Sequence, residues 1–413
     1  MSLITTSCAT HQKSTKPTFF EMPSADFLSA KDLNFMKNYI GAKKVVMLGE
    51  SIHLTSEFSK VRKAAIENLH EDGFDLLLFE GSPIEFWIAQ EDFVKSNKGR
   101  NAVRDFQKTA LFGLWQTEEI TAVLQQVLST QSTENSLYVS SYDVQIGQGR
   151  QFAQGKNVFA EFIKRMKSRK IKMTSSEEKQ VLFLDNLISC KRKKFPSSND
   201  DYKKAAASIN QLKMSVSKSK NRSLLKVHED VLEMLPQFLG FSLDFCREVN
   251  SSQRNYTEVR DEWASKQFMF QLNQIGKKTI IWAHSGHVRL GPTRNGRMSF
   301  GAYIKKDLND DVFAIHMTAN TGSAIAFMDA SGNEIELVEK PLLSLTNFSL
   351  EKKISFLSQR DFFLPVKGNE WFFSQNETTR SEPDGLSPLD AVKDFNAYYF
   401  VQKISPPKLQ LSD

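Results

Sequence analysis

Of the seven histidines in this 413-residue chain, three stand at the ends of short apolar runs, and three acids stand at such ends as well. Val45-Val46-Met47-Leu48 leads into Gly49-Glu50-Ser51-Ile52-His53, a carboxylate and an imidazole three residues apart. Leu76-Leu77-Leu78-Phe79 ends on Glu80, the run from Leu137 ends on Asp143, and Lys278 to Ala283 runs into His284-Ser285-Gly286-His287. Apolar runs of this length are buried strands. Side chains at the carboxyl ends of parallel strands open a polar crevice at one sheet edge. Three histidines and three acids at such ends point to one site rather than to scattered polar residues. Two chemistries fit. An imidazole oriented by a carboxylate can take a proton from water that attacks a carbonyl, with the other histidines and Arg62 stabilising the oxyanion. Alternatively, the histidines and acids bind a divalent metal that activates the water. There is no HExxH and no Gly-x-Ser-x-Gly elbow, and Ser51, in a strand-to-helix turn, is only a weak candidate nucleophile. No P-loop or GxGxxG occurs, so no cofactor is expected.

The elements that must position these groups follow from hydrophobic period. Phe58, Val61, Ala65 and Leu69 recur at helical spacing after Thr55 or Ser56 as a cap. Arg62 falls inside that apolar stripe, where a guanidinium needs a carboxylate partner or must snorkel to water. Glu50 or Glu80 is the candidate partner. Ser82-Pro83-Ile84-Glu85 reads as a capping box with proline at the first helical position. Asn101 to Thr130 is helical around Phe112 and Trp115, and strands are expected at Val312 to Ile315, at Ala324 to Met328 and, as edges, within Phe362 to Phe373. Thr378 to Pro388 reads as a polar loop, and Pro406 onward as a tail.

Between about Phe152 and Phe245 glycine and proline become rare, lysine and serine abundant, and apolar residues follow a helical period. The expected class is therefore α/β: a mostly parallel central sheet flanked by helices, with a helical insertion capping the cleft. The divisions are 32–150 and 251–400 for the two halves of the core and 151–250 for the insertion. The 32 phenylalanines allow a large core without disulfides. Three scattered cysteines suggest neither a zinc site nor a disulfide framework, which suits a reducing compartment. The formal charge is +6, and the run Lys191-Arg192-Lys193-Lys194 reads as a solvated helical face, so no nucleic-acid partner is expected. No run approaches a membrane span, the opening residues are too weakly apolar for a signal peptide, and a cytoplasmic location is expected.

The ordered set Gly49-Glu50-Ser51-Ile52-His53, Arg62, Phe79-Glu80, Trp115-Gln116-Thr117-Glu118-Glu119, Tyr142-Asp143-Val144-Gln145 and Ala283-His284-Ser285-Gly286-His287 resembles the motifs of the erythromycin esterase family. Arg260-Asp261 and Ser299-Phe300-Gly301-Ala302-Tyr303 are similar to it too, so the likeness extends from about Ala42 to Met328. That resemblance implies an α/β core with a helical part over a deep cleft. It also implies metal-independent hydrolysis of a macrocyclic lactone ester, the chemistry of macrolide antibiotic resistance. His53 then corresponds to the general base, Glu50 and Glu80 to its acids, with Arg62, His284 and His287 completing the catalytic set. Trp115, Glu119 and Asp143 become candidate substrate contacts. The partner is a small ester or lactone, and the sequence leaves the oligomeric state open. Ser285 stands where the family usually has asparagine. The remaining alternatives are a metal-dependent hydrolase using the same side chains and a non-catalytic binding protein on this scaffold.

Overall fold

The structure is a computed structural model and describes residues 16–129, 136–188, 198–217, 226–330, 334–374 and 376–410. Its strands are β1 (Phe20–Glu21), β2 (Val45–Glu50), β3 (Phe74–Phe79), β4 (Tyr138–Ser141), β5 (Lys278–His284), β6 (Val312–Ala330), β7 (Glu334–Pro341), β8 (Phe362–Pro365), β9 (Glu377–Glu382), β10 (Gly385–Leu389) and β11 (Ala397–Ile404). The main sheet runs β1-β8-β11-β6-β2-β5-β3-β4, with β7 on the outer half of β6; β9 and β10 form a separate hairpin. From β11 to β4 every pairing is parallel, and β1, β8 and β7 attach antiparallel.

Both faces of the parallel block are covered, so its strands are apolar throughout and divide their side chains by a period of two. Val45, Met47, Leu76, Leu78, Ile281 and Ala283 enter one core, and Val46, Leu48, Leu77, Phe79, Ile280 and Trp282 enter the other. The second core is closed by Ser56–Glu71, Arg100–Ala110 and Glu118–Ser129. The first is closed by Tyr256–Ile275, Phe300–Leu308 and the helical section Val158–Ser168, Ser175–Ile188, Asn199–Ser217 and Lys226–Ser251. That section is continuous with the sheet's own core.

Chain order and sheet order differ in a way that makes the crevice. β5 lies between β2 and β3, so the strand after the helical section returns to the centre of the first unit. Register then aligns the chemistry: Glu50 pairs with His284, and Phe79 with Trp282, which brings Glu80 beside them. Gly49 sets the depth of this arrangement. A Cβ there would lie 2.5 Å from Val288 Cγ2 and 3.0 Å from Ser285 Oγ, so only glycine lets the turn Ser285–Val288 sit down on β2.

Several sequence expectations change. The strand expected over Val312 to Ile315 continues through Ala330 as a single strand. Only Phe362–Pro365 of the expected edge segment is a strand, and Glu370–Phe372 is a 3-10 turn. The capping box does not close, because Glu85 accepts the Gly149 amide at 2.8 Å, and burial raises its carboxyl to about 8. The polar loop is the β9–β10 hairpin, and the tail is tied down where the Glu118 amide donates to Lys408 O at 2.8 Å. Cys246 is disulfide-bonded, although the scattered cysteines suggested no disulfide framework. The Lys191–Lys194 run lies outside the described residues. Among the described residues no helix is long and apolar enough to cross a membrane.

Replacing Gly49 by alanine forces overpacking against Val288 and Ser285 and should cost about 1–3 kcal/mol of stability. A urea midpoint within error of the parent would contradict this account of the close approach.

Candidate active site

Arg62 has no exposed surface. Its position in the apolar stripe of Ser56–Glu71 turns it under the ends of β2 and β5. There Nη2 donates to Leu48 O at 2.8 Å and to Ala283 O at 2.5 Å. Nη1 lies 2.8 Å from Glu50 Oε2, an ion-pair contact whose angle falls outside hydrogen-bond geometry. The guanidinium stacks on Trp282 at 4.4 Å, with Trp115 at 5.9 Å, faces that favour a desolvated cation. Burial lowers its pKa to about 10, and Glu50 and Glu80 oppose the shift, so it stays charged at neutral pH. The carboxylate partner anticipated from sequence is Glu50.

Glu50's other oxygen, Oε1, holds His53 Nδ1 at 2.7 Å. With an ionised Glu50 this fixes the tautomer: Nδ1 carries the proton and Nε2 keeps its lone pair. The His53 side chain is 18% exposed and Glu50 only 1%, so the imidazole is the part of the pair that faces the crevice. Burial alone would lower the His53 pKa, but the Glu50 hydrogen bond and the charges of Glu50, Glu80 and Glu382 outweigh it and raise it above 6.5. Trp115 packs edge-on to the ring at 5.2 Å.

A second network faces the first. Arg260 donates from Nε to Asp143 Oδ2 at 2.9 Å and from Nη2 to Glu80 Oε1 at 2.7 Å and to Asp143. Its Nη1 lies 3.3 Å from His287 Nε2, which is also 3.5 Å from Glu80. A neutral His287 accepts from Arg260, whereas its imidazolium donates toward Glu80. His287 Nδ1 is anchored on Asp261 at 2.6 Å. Burial lowers the His287 pKa, yet Asp261 and Glu80 raise it further, for a net rise. Burial would raise Glu80, but His287, Arg260 and His53 hold it well below the usual carboxylate range.

His284 stands between the networks, its ring 4.7 Å from His53 and 6.5 Å from His287. It caps Ser285–Val288: Nδ1 accepts the Gly286 amide at 3.1 Å, so Nε2 carries the proton, 3.1 Å from both Ser51 O and Ser381 O. Burial and the neighbouring histidines lower its pKa to about 3. It is a neutral, fully engaged imidazole that positions backbone.

The structure thus brings Glu50, His53, Arg62, Glu80, Asp143, His284 and His287 together, with Trp115 against His53. Asp143 is 1% exposed and bound to Arg260. Glu119 is elsewhere: it accepts Ser56 Oγ at 3.0 Å and the Lys408 amide at 3.2 Å, tying down the carboxyl-terminal segment. Sequence reasoning matched Arg260-Asp261 to the family and gave neither a role. They lie inside Tyr256–Ile275, where a charged pair looks like any solvated helical surface. It also missed the hairpin, which brings Ser381 to His284 and the charge of Glu382 to bear on His53. Ser381-Glu382-Pro383-Asp384-Gly385 carried a turn signal that would have found it.

The fold and site are those of an α/β enzyme with a polar cluster at strand carboxyl ends. Residues 69–403 match the erythromycin esterase family, and the chain belongs to it. "Putative hydrolase YbfO" of Bacillus subtilis (strain 168) is 22% identical over 385 residues, covering 84% of this chain and 80% of that protein. A Bacillus cereus protein of known structure superposes with a TM-score of 0.74 at 16% identity, over 95% of this chain and 97% of its own. A mutant of the erythromycin esterase EreC in its open conformation superposes with a TM-score of 0.66 at 18% identity, over 95% and 100%. The fold is common to both of these chains of known structure. Family membership supports a hydrolase.

Replacing Arg62 by methionine removes one partner of a buried ion pair and should cost about 3–5 kcal/mol in denaturant unfolding. A loss below about 1 kcal/mol would mean that Arg62 does not hold the two strand ends together.

Proposed function

We propose that this protein cleaves carboxylic esters or lactones by water that His53 activates, without a metal. The observation that carries the reading is the orientation of His53: Nδ1 is fixed on Glu50, and the imidazole, not the buried carboxylate, is the partly exposed member of the pair. In the proposed cycle Nε2 takes a proton from water while the water oxygen attacks the carbonyl carbon. The resulting oxyanion is stabilised by donors of the facing network, the Arg260 guanidinium and the imidazolium of His287. Collapse breaks the C–O bond, and the His53 proton passes to the leaving alkoxide to give alcohol and acid. Glu50 stabilises the imidazolium formed on the way, and Arg62 and His284 position rather than react.

The donor set favours this over a metal-bound water. Both His284 nitrogens are engaged, His287 is held between Asp261 and Arg260, and two guanidinium groups stand within the cluster. A macrocyclic lactone is the substrate suggested by the family and by the EreC likeness. Erythromycin belongs in the test panel beside simple lactones and aryl esters.

In a folded His53→Ala variant, ester turnover followed by mass spectrometry as gain of one water should fall by about a hundred- to ten-thousand-fold. Near-parental rates would remove His53 as the base. A base must be neutral to act, so kcat/KM should fall as pH drops through a His53 pKa above 6.5. Glu382 contributes to that rise from an exposed position on the hairpin, so Glu382→Gln should move the acid limb to lower pH, by less than about one pH unit. A limb that stays in place or moves up would contradict the electrostatic account.

A further inference from the structure

Behind His284 lies a cavity of about 340 Å³ that the proposed hydrolysis does not use. Its lining includes His284, Ser285 and Gly286, so it opens off the same strand end as the reacting cluster. Its remaining walls come from the loop after His287, the β9–β10 hairpin, His316 and Phe395, and none of its lining residues is an aspartate or glutamate.

Four arginines line it, and they are not equivalent. Arg380 is buried and donates to Ala319 O, Leu343 O and Asn320 O, so it braces backbone. Arg289 pairs with Asp394 at 2.5 Å and donates to Pro388 O at 3.0 Å, leaving its buried Nε without a partner. Among the described residues, the Arg297 side chain has one long contact of 3.4 Å, to Asn255 Oδ1, and Arg294 on the rim pairs with no carboxylate. With Arg289 neutralised and Arg380 committed to carbonyls, two guanidinium charges remain for whatever enters.

Their loop is braced. Thr293 and Arg297 close it through Thr293 N to Arg297 O at 2.8 Å and Arg297 N to Thr293 Oγ1 at 3.0 Å, with Gly296 at positive φ. The floor is braced too. Thr379 Oγ1 donates to Glu351 at 2.6 Å, so it accepts from His316 Nε2 at 2.7 Å, which leaves His316 Nδ1 to accept Ser285 Oγ–H at 2.7 Å. Burial lowers the His316 pKa to about 3 and keeps it neutral. The cavity therefore offers neutral polar groups at its base, an apolar shelf at Pro388, Leu389 and Phe395, and cationic forks at its rim.

We propose that this cavity receives a carboxylate or phosphate group of the substrate, so that the ester cleaved at His53 is an anionic one. The inference rests on the hydrolase reading for the word substrate, but the anion site itself does not. A planar guanidinium recognises either oxyanion through paired, charge-assisted hydrogen bonds. The shelf accepts the few carbons that would join that group to the ester.

The test is calorimetric titration of the full-length protein at low ionic strength with succinate, inorganic phosphate and the neutral succinamide. One site for succinate or phosphate, weakened by added salt, with no heat from succinamide, is the expected result. The tighter of the two anions names the group. Arg294→Gln, and the double variant with Arg297→Gln, should weaken that anion by about tenfold or more. Because Arg294 is exposed and has no carboxylate partner, its loss leaves the fold intact, which a melting curve verifies. Equal binding of succinate and succinamide, or unchanged affinity in the double variant, would overturn the proposal. In the turnover arm, the ratio of kcat/KM for an aryl hemisuccinate over the matching aryl butyrate should fall about tenfold in Arg294→Gln. Anion binding with no turnover of any ester would retain the site and remove the hydrolase reading; turnover without anion preference would do the reverse.

Discussion

The rest of the site depends on one buried cation. Arg62 has no route to water, and a desolvated guanidinium is tolerable only when its charge and its donors are both met. Glu50 meets the charge, and two carbonyls, one from the end of β2 and one from the end of β5, meet the donors of Nη2. The contacts that make the burial possible also tie together the two strands that carry Glu50 and His284. Glu50 is then shared between a permanent cation behind it and a titratable imidazole in front. A carboxylate held in this way cannot rotate without stranding Arg62, so the direction of His53 is set from beneath. The tryptophans on either side keep water away from the pair.

The opposite half of the crevice uses the same device with the roles exchanged. Arg260 is the central cation, Glu80 and Asp143 neutralise it, and His287 hangs between it and Asp261. Each network contributes one imidazole whose pKa is raised by acids, while His284 between them is driven neutral. The contrast arises from burial and the charges nearby: acids offset the burial of His53 and His287, whereas His284 is buried between the two other histidines. His53 and His287 each lean on a carboxylate, whereas His284 accepts a backbone amide and donates to backbone carbonyls. Three histidines that look alike as sequence thus divide into the proposed base on Glu50, a second imidazole held between Asp261 and Arg260, and a structural cap.

How much of this the sequence disclosed follows from what each residue must satisfy. The ends of β2, β3 and β5 were legible because both faces of a parallel strand are buried, so an acid or histidine at its end breaks an otherwise apolar run. Arg62 was legible for the same reason, as a charge inside an apolar stripe. Arg260 and Asp261 were not. A charged pair on a helix exposes no contradiction until the ends of β3 and β4 supply Glu80 and Asp143. The length of β6 was hidden because His316 and Thr318 interrupt its apolar pattern, and both are satisfied by partners more than thirty residues away, at Ser285, Thr379 and Glu351. The same long-range pairing gives Ser285, read only as a departure from the family's asparagine, a definite partner.

The hairpin joins these observations into one arrangement. Thr379 and Ser381 are two residues apart on β9 and so face one side; one engages His316 through its hydroxyl, and the other meets His284 through its carbonyl. Glu382, next along, adds its charge to the field at His53. A single short strand therefore touches the floor of the cationic cavity, the neutral histidine between the cavity and the crevice, and the electrostatics of the base. Any displacement of β9 would change all three together. The chemistry at His53 and the recognition inferred behind His284 share this strand and the Ser285–Val288 turn, and Gly49 lets that turn sit close enough to join them.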